Sequence, residues 1–179
     1  NEIAQLHVED IVEVDGIWCV DYRNGGHAEH ADFKTESSKR LIPLRDELLE
    51  LGMLKLRGDI KQGRMFPSLP YSKQHGYGRK ISEWFRTEVK PAVFPDPEER
   101  RPLCFHSFRH NFTTAALNSG VDASKAGAIQ GHAQDEMTEV QRGYFGGYDS
   151  AVLKQAIDSI DFGVDLAPLL GHLKRHWKR

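Results

Sequence analysis

Pro102-Leu-Cys-Phe-His106-Ser-Phe-Arg109-His110, followed by Gly131-His132 and then by Gly143-Tyr144 and Gly147-Tyr148, is the stretch from which the rest of the chain can be read. Ser107 to Asn118 has Phe108, Phe112, Ala115 and Ala116 on one inward stripe, and Ser119-Gly120 is a strong helix stop. Asp122 is the N-cap of a second helix, which turns Ala126 and Ile129 inward and ends at Gly131. His106 and Arg109 stand three apart and therefore share a helix face. His132 follows the glycine stop and meets the negative end of the second helix, which favours a charged ring there. Tyr144 has Gly143 before it and Gly146-Gly147 after it, so the backbone is free to swing on both sides.

Imidazoles, a guanidinium and a phenol make a set suited to attack on a phosphate. The guanidinium matches two non-bridging oxygens and keeps its charge near neutral pH. Imidazoles move protons at pH 7. A tyrosine hydroxyl can be a covalent nucleophile where its proton is taken and the charge on phosphorus is stabilised. This chemistry requires no metal or other cofactor. A competing reading takes His106 and His110, four apart, with His132 as metal ligands, but the glutamate expected beside the first histidine is replaced by Ser107.

Upstream, Val12 to Val14 and Ile17 to Tyr22 alternate about Asp15-Gly16, a hairpin signal, and Asn24-Gly25-Gly26 turns the chain again. A third strand is expected from Arg40 to Pro43, after a segment containing Lys34. Glu2 to Ile11 reads as the end of a helix. Helices are also expected over Asp46 to Leu54, over Lys80 to Val89 with Ile81, Trp84, Phe85 and Val89 facing the core, and over Ser150 to Ile160. Gly58 to Gly76 is loop. The fold class is α+β, mainly α-helical with a small antiparallel three-stranded sheet near the N-terminus.

His106-Ser-Phe-Arg109-His, Gly131-His132 and Tyr144, in that order, resemble the catalytic core of the tyrosine recombinase (phage integrase) family. Phe33-Lys34-Thr35 through Lys39-Arg40-Leu-Ile-Pro43-Leu resembles that family's β-hairpin, whose lysine is catalytic. The resemblance implies the tyrosine recombinase catalytic-domain fold over residues 1–162, with 163–179 as a tail that docks on a neighbouring protomer or packs on its own domain. It implies a site-specific DNA recombinase, the integrase of a phage or other mobile element, that cleaves and rejoins DNA through a 3′-phosphotyrosyl intermediate. Tyr144 would be the nucleophile, ahead of Tyr148. His106 would assist proton transfer, Arg109 and His132 would hold the phosphate, and Lys34 would protonate the leaving 5′-oxygen. Type IB topoisomerases share this chemistry, so strand relaxation is the neighbouring alternative. The family's first arginine lies three residues before the glutamate that Glu2 matches, ahead of residue 1. The resemblance therefore implies a fragment cut inside the catalytic domain, weak or inactive alone, and a catalytically impaired DNA-binding fragment is a further alternative.

Composition bounds the partners. The chain has 179 residues and 39% hydrophobic content, enough for one sizeable core. Its net charge of −2 is not the footprint of a protein held to DNA by overall charge. Binding to double-stranded DNA must then use local clusters, with Lys39, Arg40, Arg79 and Lys80 as the expected contacts. Self-association into a synaptic tetramer on DNA follows from the resemblance. Cys19 and Cys104 do not make a disulfide framework, and no signal peptide or membrane-length apolar run is present, so a cytoplasmic protein is expected; the resemblance implies a nucleoid-associated one in a bacterial or phage-infected cell.

Overall fold

The computed structural model describes residues 1–24, 27, 38–132 and 147–176. Asp15 and Gly16 both hold positive φ, 51° and 77°, as a two-residue hairpin turn requires. They fold β1 (Ile11–Val14) onto β2 (Ile17–Asp21), with Val14 opposite Ile17. β3 (Leu41–Pro43) pairs antiparallel on the other side of β2, giving the order β1-β2-β3. The chain entering the sheet is not the expected helix end: it passes through turns into a short 3-10 helix at Val8–Asp10.

The expected helix over Asp46 to Leu54 is two helices, α1 (Asp46–Glu50) and α2 (Met53–Asp59), because Gly52 between them turns to φ 86°. α3 (Arg79–Trp84) continues through a π-helical turn at Phe85–Val89 into α4 (Lys90–Val93). α5 (Pro97–Arg100) precedes α6 (Ser107–Asn118) and α7 (Ala123–Gln130), which the sequence placed within a residue or two. α8 (Ser150–Asp158) and α9 (Ala167–His176) complete the described elements. The architecture is α+β.

Two apolar clusters meet at β3. Leu6, Val8, Ile11, Val20, Tyr22, Leu44 and Met65 pack around the sheet. Ala116, Val121, Ala126, Ile129, Leu153, Ala156, Ile157 and Ile160 form the cluster of α6, α7 and α8. Ile42 touches both, so the hairpin and the α6–α7 pair are rigidly related.

Two inward-facing expectations fail. Trp84 is 57% exposed: Ile81 and Phe85, four apart, take the inward line, and Trp84 lies about 100° round the helix from Phe85. Phe108 is 55% exposed although it lies on the stripe of Phe112. The cluster beneath α6 ends before its first turn, and Phe108 instead meets the rings of Phe85 and Phe105 edge-on, 5.5 and 5.3 Å between centroids. In the tail, Val164 and Leu169 are exposed, while Leu173 of α9 lines a cavity with Leu48, Leu51 and Leu56 of the same chain.

Candidate active site

α7 has eight residues and leaves its last four carbonyls without helical partners. All four are satisfied here. Gly131 takes φ 72°, which lets its own N–H donate to Ala128 O and the His132 N–H donate to Gly127 O at 2.9 Å. The other two carbonyls are capped by arginines from different parts of the chain. Arg40 Nε donates to Ile129 O at 2.9 Å, and Arg109 Nη2 donates to Gln130 O at 2.5 Å.

Arg109 is thereby fixed beside His132, its Nε donating to His132 Nε2 at 3.2 Å. Gln130, 8% exposed, closes the arrangement, its Nε2 donating to Arg109 O at 2.8 Å and its Oε1 accepting from Thr113 Oγ1 at 3.1 Å. Among the described residues no carboxylate pairs with Arg109, and its Nη1 donates to none of them.

His106 and Arg109 line the same cavity of about 400 Å³, together with Glu2, Ser82 and Phe105. The His106 ring lies edge-on to His110, 5.4 Å between centroids. No group of three metal-ligating side chains comes together among the described residues. Cys104, exposed just ahead of His106, has its thiol lowered below the ordinary cysteine range, chiefly by the Ser107 hydroxyl.

Arg79 is exposed and lines a neighbouring cleft of about 550 Å³ with His75 and Arg86. Asn1, Gly78 and Ser82 border both this cleft and the His106–Arg109 cavity. Lys80 is exposed on the same helix, and Lys39 is exposed on a third cavity that also contains Arg23 and Tyr148. Arg40 differs from the open DNA contact expected of it. Its side chain is 10% exposed and donates to both carboxylate oxygens of Glu2 at 3.0 Å, to Ser38 O and to Ile129 O. Tyr22 supports that pair: burial raises its pKa, and its hydroxyl donates to Glu2 O at 3.0 Å.

Lys34 and Tyr144 lie outside the described residues. The residues flanking them are anchored. Ahead of Lys34, His27 meets the buried Asp10 through its backbone N–H at 3.1 Å and its Nδ1 at 2.6 Å. After Tyr144, the Tyr148 hydroxyl is 2.5 Å from Ser124 Oγ, at the start of α7 where Asp122 caps the helix. Sequence reasoning missed Gln130, the Glu2–Arg40 pair and the Ser124–Tyr148 contact. The only signal was that Gln130 directly precedes Gly131-His132.

The phage integrase family model matches residues 1–142, and the chain belongs to that family, the tyrosine recombinases. The match spans Lys34, His106, Arg109 and His132 and stops two residues short of Tyr144. No curated protein and no solved structure matches the chain. Membership implies site-specific tyrosine recombinase activity and DNA binding in general. No described helix is long and apolar enough to cross a membrane.

Proposed function

We propose that this chain is the catalytic part of a phage or mobile-element integrase that cuts and rejoins DNA through Tyr144. The observation that carries the reading is the Arg109–His132 pair at the end of α7, whose arginine lines the cavity that His106 shares. Arg109 offers Nη1 to a non-bridging oxygen, and His132 beside it helps hold the same phosphate. The Tyr144 oxygen attacks phosphorus as His106 assists removal of its proton. The phosphorus–5′-oxygen bond breaks, Lys34 protonates the departing 5′-oxygen, and a 3′-phosphotyrosyl ester remains. Rejoining is the reverse, so neither ATP nor an external reductant enters. The cleft bordered by Arg79 and Arg86 continues from this cavity and suits the flanking DNA backbone. Self-association on DNA and the trans docking of residues 163–179 belong to the same proposal.

Tyr144 is favoured over Tyr148 because the Tyr148 hydroxyl is tied to Ser124, whereas Tyr144 keeps glycines on both sides. The test uses full-length protein on a nicked suicide substrate, from which the 5′-hydroxyl strand diffuses away. Wild type and Tyr148→Phe should trap a covalent protein–DNA adduct, and Tyr144→Phe should not. An adduct that survives Tyr144→Phe overturns the assignment.

A further inference from the structure

We infer that Arg40 is a positioning residue for Arg109 and His132 and makes no DNA contact. This rests on the function proposed for Arg109. The guanidinium of Arg40 joins three separate parts of the chain: the Glu2 carboxylate, the Ser38 carbonyl at its own strand's entry, and the Ile129 carbonyl at the end of α7. Ile129 O and Gln130 O are successive carbonyls, capped by Arg40 and Arg109 respectively.

Moving the end of α7 therefore moves the carbonyl that orients Arg109 and, two residues on, the ring beside it. Without Arg40, Ile129 O is left unsatisfied next to a buried Ile129 side chain, and the helix end must unwind or take in water. Either change displaces the Gln130 carbonyl and widens the 3.2 Å contact between Arg109 and His132. Arg40 is also unsuited to bind a phosphate directly. Both its terminal nitrogens already face Glu2, and a phosphate arriving there would meet that carboxylate.

The test compares Arg40→Met, Arg109→Ala and wild-type full-length protein on two DNA substrates. One carries an ordinary scissile phosphate; the other carries an uncharged methylphosphonate at that position. An arginine that acts by neutralising phosphate charge is needed less on the neutral linkage, so the Arg109→Ala defect should shrink there. If Arg40 works through Arg109, Arg40→Met should slow single-turnover cleavage of the ordinary substrate on the order of 10- to 100-fold, the usual size of losing a residue that orients a functional ligand. Its defect should shrink on the methylphosphonate in parallel. DNA affinity and its salt slope should stay at the wild-type values.

Arg40→Met that weakens binding and lowers the salt slope by about one, with cleavage at saturating DNA unchanged, overturns the inference in favour of a phosphate contact. So does an Arg40→Met defect equal on both substrates while that of Arg109→Ala shrinks. If the Arg109→Ala defect itself fails to shrink, the role proposed for Arg109 falls and takes the inference with it. Should Arg40→Met not fold, Glu2→Gln and Arg40→Lys carry the same comparison. The first weakens the grip on Arg40, the second loses the fork, and each should show the same parallel recovery; a defect insensitive to the linkage overturns the inference there too.

Discussion

α7 and α8 each have a carbonyl at the C-terminal end capped by an arginine, and they differ in what that arginine faces. At α8, Arg45 donates to Ile157 O at 2.8 Å and Ile160 O at 2.6 Å, and the rest of its guanidinium is held by both oxygens of Glu47. That charge is neutralised, and Arg45 holds the Glu47 carboxyl down to about 2. At α7, Arg109 caps Gln130 O with the His132 ring beside it, and no described carboxylate is paired with it. A capped helix end with a paired arginine is a structural joint. With a guanidinium unpaired among the described residues, it suits the anion-binding role proposed for Arg109, since an incoming phosphate would supply the missing counter-charge.

The sharpest test of this contrast exchanges the readouts. Arg109→Ala should lower single-turnover cleavage by about 100- to 1,000-fold, the usual loss of a transition-state charge stabiliser, while the lost Gln130 O cap costs only about 1 kcal/mol of stability. Arg45→Ala should do the opposite, costing about 2–3 kcal/mol in urea denaturation while the folded fraction cleaves normally. Equal effects of the two substitutions on both readouts would erase the distinction.

Gly131→Ala probes the joint itself. A side chain at φ 72° costs about 1 kcal/mol or more, and relief of that strain moves His132, so cleavage should fall by more than the stability loss explains. Tyr148→Phe at the other end of α7 removes one hydrogen bond, about 1 kcal/mol by thermal or urea melting, and should leave cleavage intact.

The smallest effect concerns the paired end. The Glu47 carboxyl is held below the ordinary glutamate value of 4.5, so its contribution is present above pH 4.5 and is lost as pH falls through that value toward about 2. The Glu47 side chain is 41% exposed, which limits the contribution to about 1 kcal/mol or less after solvent screening. Glu47→Gln should be that much less stable than wild type at pH 7. The gap should close in acid.

Local features of this molecule were legible in the sequence. Asp15-Gly16, the Asp122 cap and the Gly131 stop each involve residues within a turn of one another, and all three form as expected. The α6–α7 pair follows from the spacing between them. What could not be read depends on distant partners. Arg40 finds Glu2 thirty-eight positions away and Ile129 eighty-nine positions away, so a basic strand residue that looked available for DNA is held inside the protein. Trp84 and Phe108 carry helical periodicity without a core beneath them, because periodicity gives a direction but not how far the packed interior extends. Arg109 and His132 were each visible as motif residues, whereas their 3.2 Å contact came only with the coordinates.

The length of α7 also acts as a ruler. Its first turn ties down Tyr148 through Ser124 and its far end presents Arg109, and at eight residues it spans about 12 Å. One extra turn of α7 would set the Tyr148 anchor about 5 Å further from Arg109 while leaving both ends of the helix locally unchanged.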